Sequence, residues 1–140
     1  VGSSIVPYSL ASAVDDAMRM SPKWLIVGEM RRGDAVAALF RAQMSDHPGL
    51  STFHAEGPES AITRLNLLLF NDVGVRSEGA KEMFVQAVDM IVQVGWSNGG
   101  RSMIGVWEVE KTLKGGNVQF RQLYKPGDAE LLPIGIERRV

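Results

Sequence analysis

A chain of 140 residues that is 45% hydrophobic and 22% charged has enough apolar material for one globular domain with its own core, and it lacks the composition of a disordered segment. Its formal net charge of −1 gives no general attraction for nucleic acid or anionic membrane, and its basic residues are scattered apart from Arg31-Arg32 and Arg138-Arg139. The absence of cysteine excludes a disulfide scaffold and thiolate metal sites and suits a reducing compartment, and no apolar stretch approaches the roughly 20 residues that span a bilayer.

The chain opens Val-Gly-Ser-Ser, with no initiator methionine and no basic-then-apolar leader, and so reads as a processed chain or a piece of a longer one. Leu10, Ala13, Val14, Ala17 and Met18 recur at helical spacing and predict a helix that stops before Pro22. Residues 23–28 follow as a short strand, with Leu25, Ile26 and Val27 expected to be buried on both faces. Asp34 can cap a second helix whose apolar stripe is Val36, Leu39 and Phe40, fading at His47-Pro48-Gly49, and residues 50–54 read as a second strand.

Glu56-Gly57-Pro58 opens a third helix that buries Ala61, Ile62, Leu65, Leu68 and Leu69 and ends at Asn71-Asp72-Val73-Gly74. A fourth helix is expected over residues 79–90, burying Phe84, Val85 and Val88, and it runs into an apolar segment over residues 91–96. Ser97-Asn98-Gly99-Gly100 then predicts a hairpin, because asparagine and glycine tolerate positive φ. Beyond it, Met103, Gly105, Trp107 and Val109 alternate with Ile104, Val106, Glu108 and Glu110. Gly115-Gly116-Asn117 marks another reversal before residues 118–123, and residues 126–140 read as a tail or edge segment. Trp96, Trp107, Met83 and Met90 are expected in the core. The order implies an α/β fold with a mixed sheet, in which parallel strands and crossover helices precede an antiparallel β-meander.

One helix joins the first two strands, which is the form of a right-handed crossover between parallel neighbours, so their C-terminal ends share one edge. Glu29 and His54 leave the sheet there, at the edge where α/β proteins bind ligands. Taken singly, Glu29 is equally explained as a helix-capping carboxylate paired with Arg31 or Arg32, and His54 as a structural histidine. Arg31 and Arg32 are candidates for phosphate or subunit contacts. His54-Ala55-Glu56 imitates half of a zinc deaminase signature but lacks the cysteines, and His47 falls at the wrong end of its strand to join a zinc site with His54 and Glu56.

Leu25-Ile26-Val27-Gly28-Glu29-Met30-Arg31 resembles the Walker B segment of the type II/IV secretion ATPases, and Gly49-Leu50-Ser51-Thr52-Phe53-His54-Ala55 resembles their His box, with the Tad/CpaF branch the nearest. Residues 17–22, 60–65 and 87–93 are similar to other segments of the family, and the resemblance covers roughly residues 5–125. It implies a partial RecA-like P-loop NTPase core from the C-terminal part of the motor domain over residues 1–125, with residues 126–140 as the tail. It further implies ATP and Mg²⁺ as ligands of the complete domain, with Glu29 orienting the attacking water and supporting the metal through a water, and His54 near the γ-phosphate. The same correspondence puts Gly28, Arg31, Thr52 and Arg64 at the nucleotide.

The parent is then a hexameric ring in the cytoplasm, peripheral at the inner face of the bacterial membrane. Inner-membrane secretion or pilus platform proteins are its partners, and no nucleic acid partner or direct membrane insertion is expected. The chain departs from the family in one respect, since no G-x-x-x-x-G-K-[ST] occurs in it, so by itself it would not hydrolyse ATP. The alternative is a non-catalytic assembly or partner-binding module derived from such an ATPase. A sheet lacking its phosphate-loop strand should have an unpaired edge and uncovered apolar surface, and so self-associate or be marginally stable.

Overall fold

The computed structural model describes residues 7–135. Helix α1 (Leu10–Met18) is capped by Ser9, whose hydroxyl accepts the amide of Ser12 at 3.1 Å, and it leads to strand β1 (Leu25–Val27). Helix α2 (Gly33–Met44) carries the chain back to strand β2 (Gly49–Ser51), which lies beside β1 in parallel with Leu25, Ile26 and Val27 opposite Gly49, Leu50 and Ser51. Both the parallel direction and the adjacency agree with the crossover read from the sequence.

Helix α3 (Pro58–Val73) starts with proline in its first turn, where the Ser60 hydroxyl accepts the amides of Glu56 and Gly57, and it ends at Gly74 with φ +70°. Helix α4 (Ser77–Ala87) precedes the antiparallel strands β3 (Met90–Ser97), β4 (Gly100–Val109) and β5 (Phe120–Tyr124), which lie in the order β3-β4-β5. Asn98 and Gly99 turn the first hairpin with φ of 49° and 81°. The fold is α/β as expected, but the strands form a parallel pair and a separate antiparallel sheet rather than one mixed sheet.

Helix α2 is the centre of the core. Val36, Ala37, Ala38, Leu39, Phe40 and Ala42 are all buried, because α1, α3 and α4 pack around it and β1 lends Leu25 and Val27. Phe40 meets Phe84 of α4 edge to face at 6.1 Å, and Phe84 meets Phe120 of β5 at 6.5 Å, so an aromatic chain ties the two sheets through the helices. At the start of α2 the fit is tightest. A Cβ on Gly33 would lie 2.1 Å from the carbonyl oxygen of Leu68 on α3, and the Gly33 amide donates to the Asp72 carboxylate at 2.6 Å.

Several expectations are corrected. β1 is not buried on both faces: Ile26 is 73% exposed, and together with exposed Trp24 and Leu50 it forms an apolar face that no element among the described residues covers. Asp34 does not cap α2. It lies inside the first turn, accepting the amide of Ala35 at 2.8 Å and pairing with Arg32 at 3.2 Å, while the capping carboxylate comes from Asp72.

The fourth helix ends at Ala87 instead of residue 90, with Val88 extended, because Lys111 takes the carbonyls of Val85 and Val88 at 2.9 and 3.0 Å. Trp96 is 76% exposed and Met90 is exposed, since they lie on a strand face that meets solvent. On β4 a register irregularity between Val106 and Trp107 breaks the strict alternation, burying Glu108. Residues 126–135 carry no regular element, yet they are fastened by Leu132 N–H to the Leu123 carbonyl and by Gly135 N–H to Glu108.

Two outcomes are expected. Gly33→Ala, which helix propensity alone favours, will destabilise the chain by roughly 1–3 kcal/mol in denaturant unfolding, because the added methyl drives α2 off α3. In sedimentation the 140-residue chain will self-associate through the uncovered Trp24, Ile26 and Leu50 face, and Ile26→Lys will reduce that association; a stable monodisperse monomer contradicts the expectation.

Candidate functional site

The chain ends of β1 and β2 stay joined beyond the strands themselves. Met30 N–H donates to the Thr52 carbonyl at 3.0 Å, and the Thr52 hydroxyl donates to the Gly28 carbonyl, so the two exit loops are fastened by both backbone and side chain. The first loop then contributes Glu29 and Arg31, and the second His54. His54 Nε2 lies 2.9 Å from Glu29 Oε1, and Arg31 places Nε at 2.7 Å and Nη2 at 2.6 Å from Glu29 Oε2. The carboxylate is the part least open to water, with its side chain 24% exposed against 83% for His54 and 78% for Arg31.

Arg64 reaches across from α3. Its Nη1 donates to the His54 carbonyl at 2.6 Å, and its guanidinium lies 5.6 Å from the centre of the Phe53 ring. The structure therefore brings all six sequence-predicted residues to one edge: Gly28, Glu29 and Arg31 from the first loop, Thr52 and His54 from the second, and Arg64 from the flanking helix. Their contacts differ in kind, for Thr52 and Arg64 hold backbone, while Glu29, Arg31 and His54 present side chains to solvent. Arg32 turns away to Asp34, and His47 lies just before β2, at the opposite end of that strand from His54. Asp72 was not singled out from the sequence as part of this arrangement, because nothing local marks a carboxylate that caps a helix starting 39 residues earlier. A groove of about 870 Å³ lined by Ile62, Leu67, Phe70 and Val118, among others, includes none of the six residues.

The electrostatics follow from the geometry. The guanidinium of Arg31 holds the Glu29 carboxyl below the usual carboxylate range, against the opposing effect of partial desolvation, and His54 adds a smaller pull in the same direction. Arg31 is in turn held more firmly protonated by Glu29. A carboxylate kept ionised beside an exposed guanidinium and imidazole suits the recognition of a phosphate and of a water ordered next to it. Among the described residues no three histidine or acidic side chains converge to bind a metal, so this edge offers a cation one carboxylate.

Residues 5–94 match the model of the type II/IV secretion system protein family, well over half of the chain. The chain belongs to that family. The conjugal transfer protein TrbB of Rhizobium radiobacter is 33% identical over 102 residues, which cover 72% of this chain and 30% of TrbB. Among solved structures, the VirB11 ATPase of the Brucella suis type IV secretion system, in complex with sulphate, matches with a TM-score of 0.63 and 24% identity over 70% of this chain and 31% of its own. The Legionella pneumophila ATPase DotB matches with a TM-score of 0.54 and 22% identity over 69% and 26%. The RecA-like secretion ATPases therefore share this fold, and the chain spans 26–31% of the length of these secretion-system relatives.

Because the folded-state pKa of Glu29 is depressed, its pairing stabilises the loop above the ordinary carboxylate range, and that contribution disappears as pH falls through the depressed value. In a ¹³C NMR titration of carboxyl groups, Glu29 will titrate below the ordinary carboxylate range, and Arg31→Gln will move its midpoint upward. An unmoved midpoint contradicts the assigned cause.

Proposed function

We propose that this chain is the C-terminal part of the motor core of an ATP-hydrolysing machine that powers pilus assembly, conjugation or protein secretion. The observation that carries this reading is the 2.9 Å approach of His54 to Glu29 at the shared C-terminal edge of two parallel strands. Glu29 orients the attacking water and supports Mg²⁺ through a water. His54 lies toward the γ-phosphate, and Arg31, with its exposed fork, contacts phosphate oxygens.

Gly28, Thr52 and Arg64 serve the nucleotide through position. The Thr52 hydroxyl on the Gly28 carbonyl sets the separation of the loops, and Arg64 fixes the backbone of His54. Residues 1–125 belong to the RecA-like unit and residues 126–140 form its tail. The working assembly is a hexameric ring at the cytoplasmic face of the bacterial inner membrane, docked on secretion or pilus platform proteins. No helix among the described residues is long and apolar enough to cross a membrane, which is consistent with a peripheral position.

A second reading has one observation in its favour, namely that these 140 residues contain no phosphate-loop sequence. On that reading the chain is an assembly or partner-binding module with no hydrolysis of its own. The coding frame that adjoins Val1 separates the two: a phosphate loop in the same polypeptide, or in a subunit that assembles with it, supports the motor.

In the protein at its native length, Glu29→Gln will lower ATP hydrolysis by about a hundredfold or more while leaving nucleotide binding in place. Hydrolysis that survives this change removes Glu29 from the role. Arg64→Ala will slow turnover by displacing His54, and Arg64→Lys will restore part of it, because the ammonium can reach the same carbonyl but cannot lie flat on Phe53.

A further inference from the structure

The Glu29 carboxylate is engaged on both sides. Arg31 Nε donates to Oε2 at 2.7 Å with Nη2 2.6 Å from the same oxygen, and His54 Nε2 lies 2.9 Å from Oε1. A carboxylate tied to a guanidinium in this way is a poor partner for water, yet the proposed role of Glu29 requires an oxygen that faces water. Arg31 itself is poorly anchored: its guanidinium has no acceptor other than Glu29 among the described residues, and the side chain lies mostly in solvent. Exposed ion pairs of this kind exchange partners at little cost.

From this arrangement we infer that Arg31 is a latch, holding Glu29 quenched when the site is empty and transferring its guanidinium to the polyphosphate of a bound nucleotide, so that Oε2 is freed as the substrate arrives. The inference rests on the nucleotide-site reading above and adds the regulation of that site. Its direction follows from charge and shape. A triphosphate carries more negative charge than a carboxylate and can offer the guanidinium two oxygens where Glu29 offers it one, so the fork moves to the stronger partner. Arg31 lies two residues from Glu29 in the exit loop, between Met30, whose amide is held by the Thr52 carbonyl, and Arg32, whose carbonyl accepts the Val36 amide at 3.1 Å. The side chain can therefore swing without moving β1 or α2.

His54 is not equivalent. Its backbone carbonyl is held by Arg64, so its position does not depend on Arg31, and its Nε2 lies on the other carboxylate oxygen, Oε1. The device couples the release of Glu29 to occupancy, with no movement of the fold required.

The test is a pair of structures of the protein at its native length, with and without adenylyl imidodiphosphate, together with the affinity of that analogue for the wild type, Arg31→Gln and Arg31→Lys. The latch requires that Arg31 lie on Glu29 in the free protein and on phosphate oxygens in the bound one. Arg31→Gln should then weaken binding about tenfold, and Arg31→Lys, which keeps the charge without the fork, by less. If the analogue binds beside Glu29 while Arg31 keeps both contacts to Oε2, Arg31 is a fixed pin and the latch is overturned, although the nucleotide site stands. If the analogue binds nowhere on the protein, the latch and the nucleotide-site reading fail together. The wild-type pair decides the matter even if a variant folds poorly.

Discussion

Everything at the candidate site depends on a parallel pairing only three residues long, Leu25–Val27 against Gly49–Ser51. So short a ladder has little cooperativity of its own, and parallel pairs are weaker per residue than antiparallel ones. What makes it persist is α2, the crossover between the two strands, which is buried on nearly every side and so fixes both strand ends through the packing of one helix. The loops that leave the strands inherit this order. Thr52 spans to Gly28 and Met30 to Thr52, so Glu29 is held between two tied residues and meets His54, two residues past Thr52.

The chain thus combines two unlike surfaces. At the C-terminal edge of the strands, charge is balanced locally, with one carboxylate between a guanidinium and an imidazole. On the open face of the same strands, Trp24, Ile26 and Leu50 present apolar side chains to solvent. Parallel sheets are ordinarily covered on both faces, so the bare side is the departure from the norm, while the helices on the other side are well packed.

Much of this was legible in the sequence, for identifiable reasons. Helix α1 and the stripes on α3 have clear 3.6-residue periods, the Asn98-Gly99 turn has a local chemical signature, and the crossover length implied parallel neighbours and hence the meeting of Glu29 with His54. What escaped depended on partners distant in the chain. An apolar strand reads the same whether one face is covered or two, which is why Ile26 was placed inside. The C-terminus of α4 is decided by Lys111, and the cap of α2 by Asp72, neither of which is near in sequence. The exposure of Trp96 likewise reflects which sheet face lacks a neighbour, something no local pattern records.

Helix α3 touches the two halves of the site separately. From mid-helix Arg64 grips the carbonyl of His54, and one and two turns later Leu68 and Asp72 bear on Gly33, at the foot of the loop that carries Glu29. These two points lie about 6 and 12 Å beyond Arg64 along one continuous rod, at 1.5 Å per residue. A tilt of that rod moves its two ends by different amounts, so it changes the spacing between the imidazole and the carboxylate, whereas a slide along its axis carries both together. The outer side of the same rod bears Leu67 and Phe70, exposed to whatever lies beside it. Seen mechanically, α3 is a gauge: pressure on its outer flank is read out as a distance between two side chains on the other.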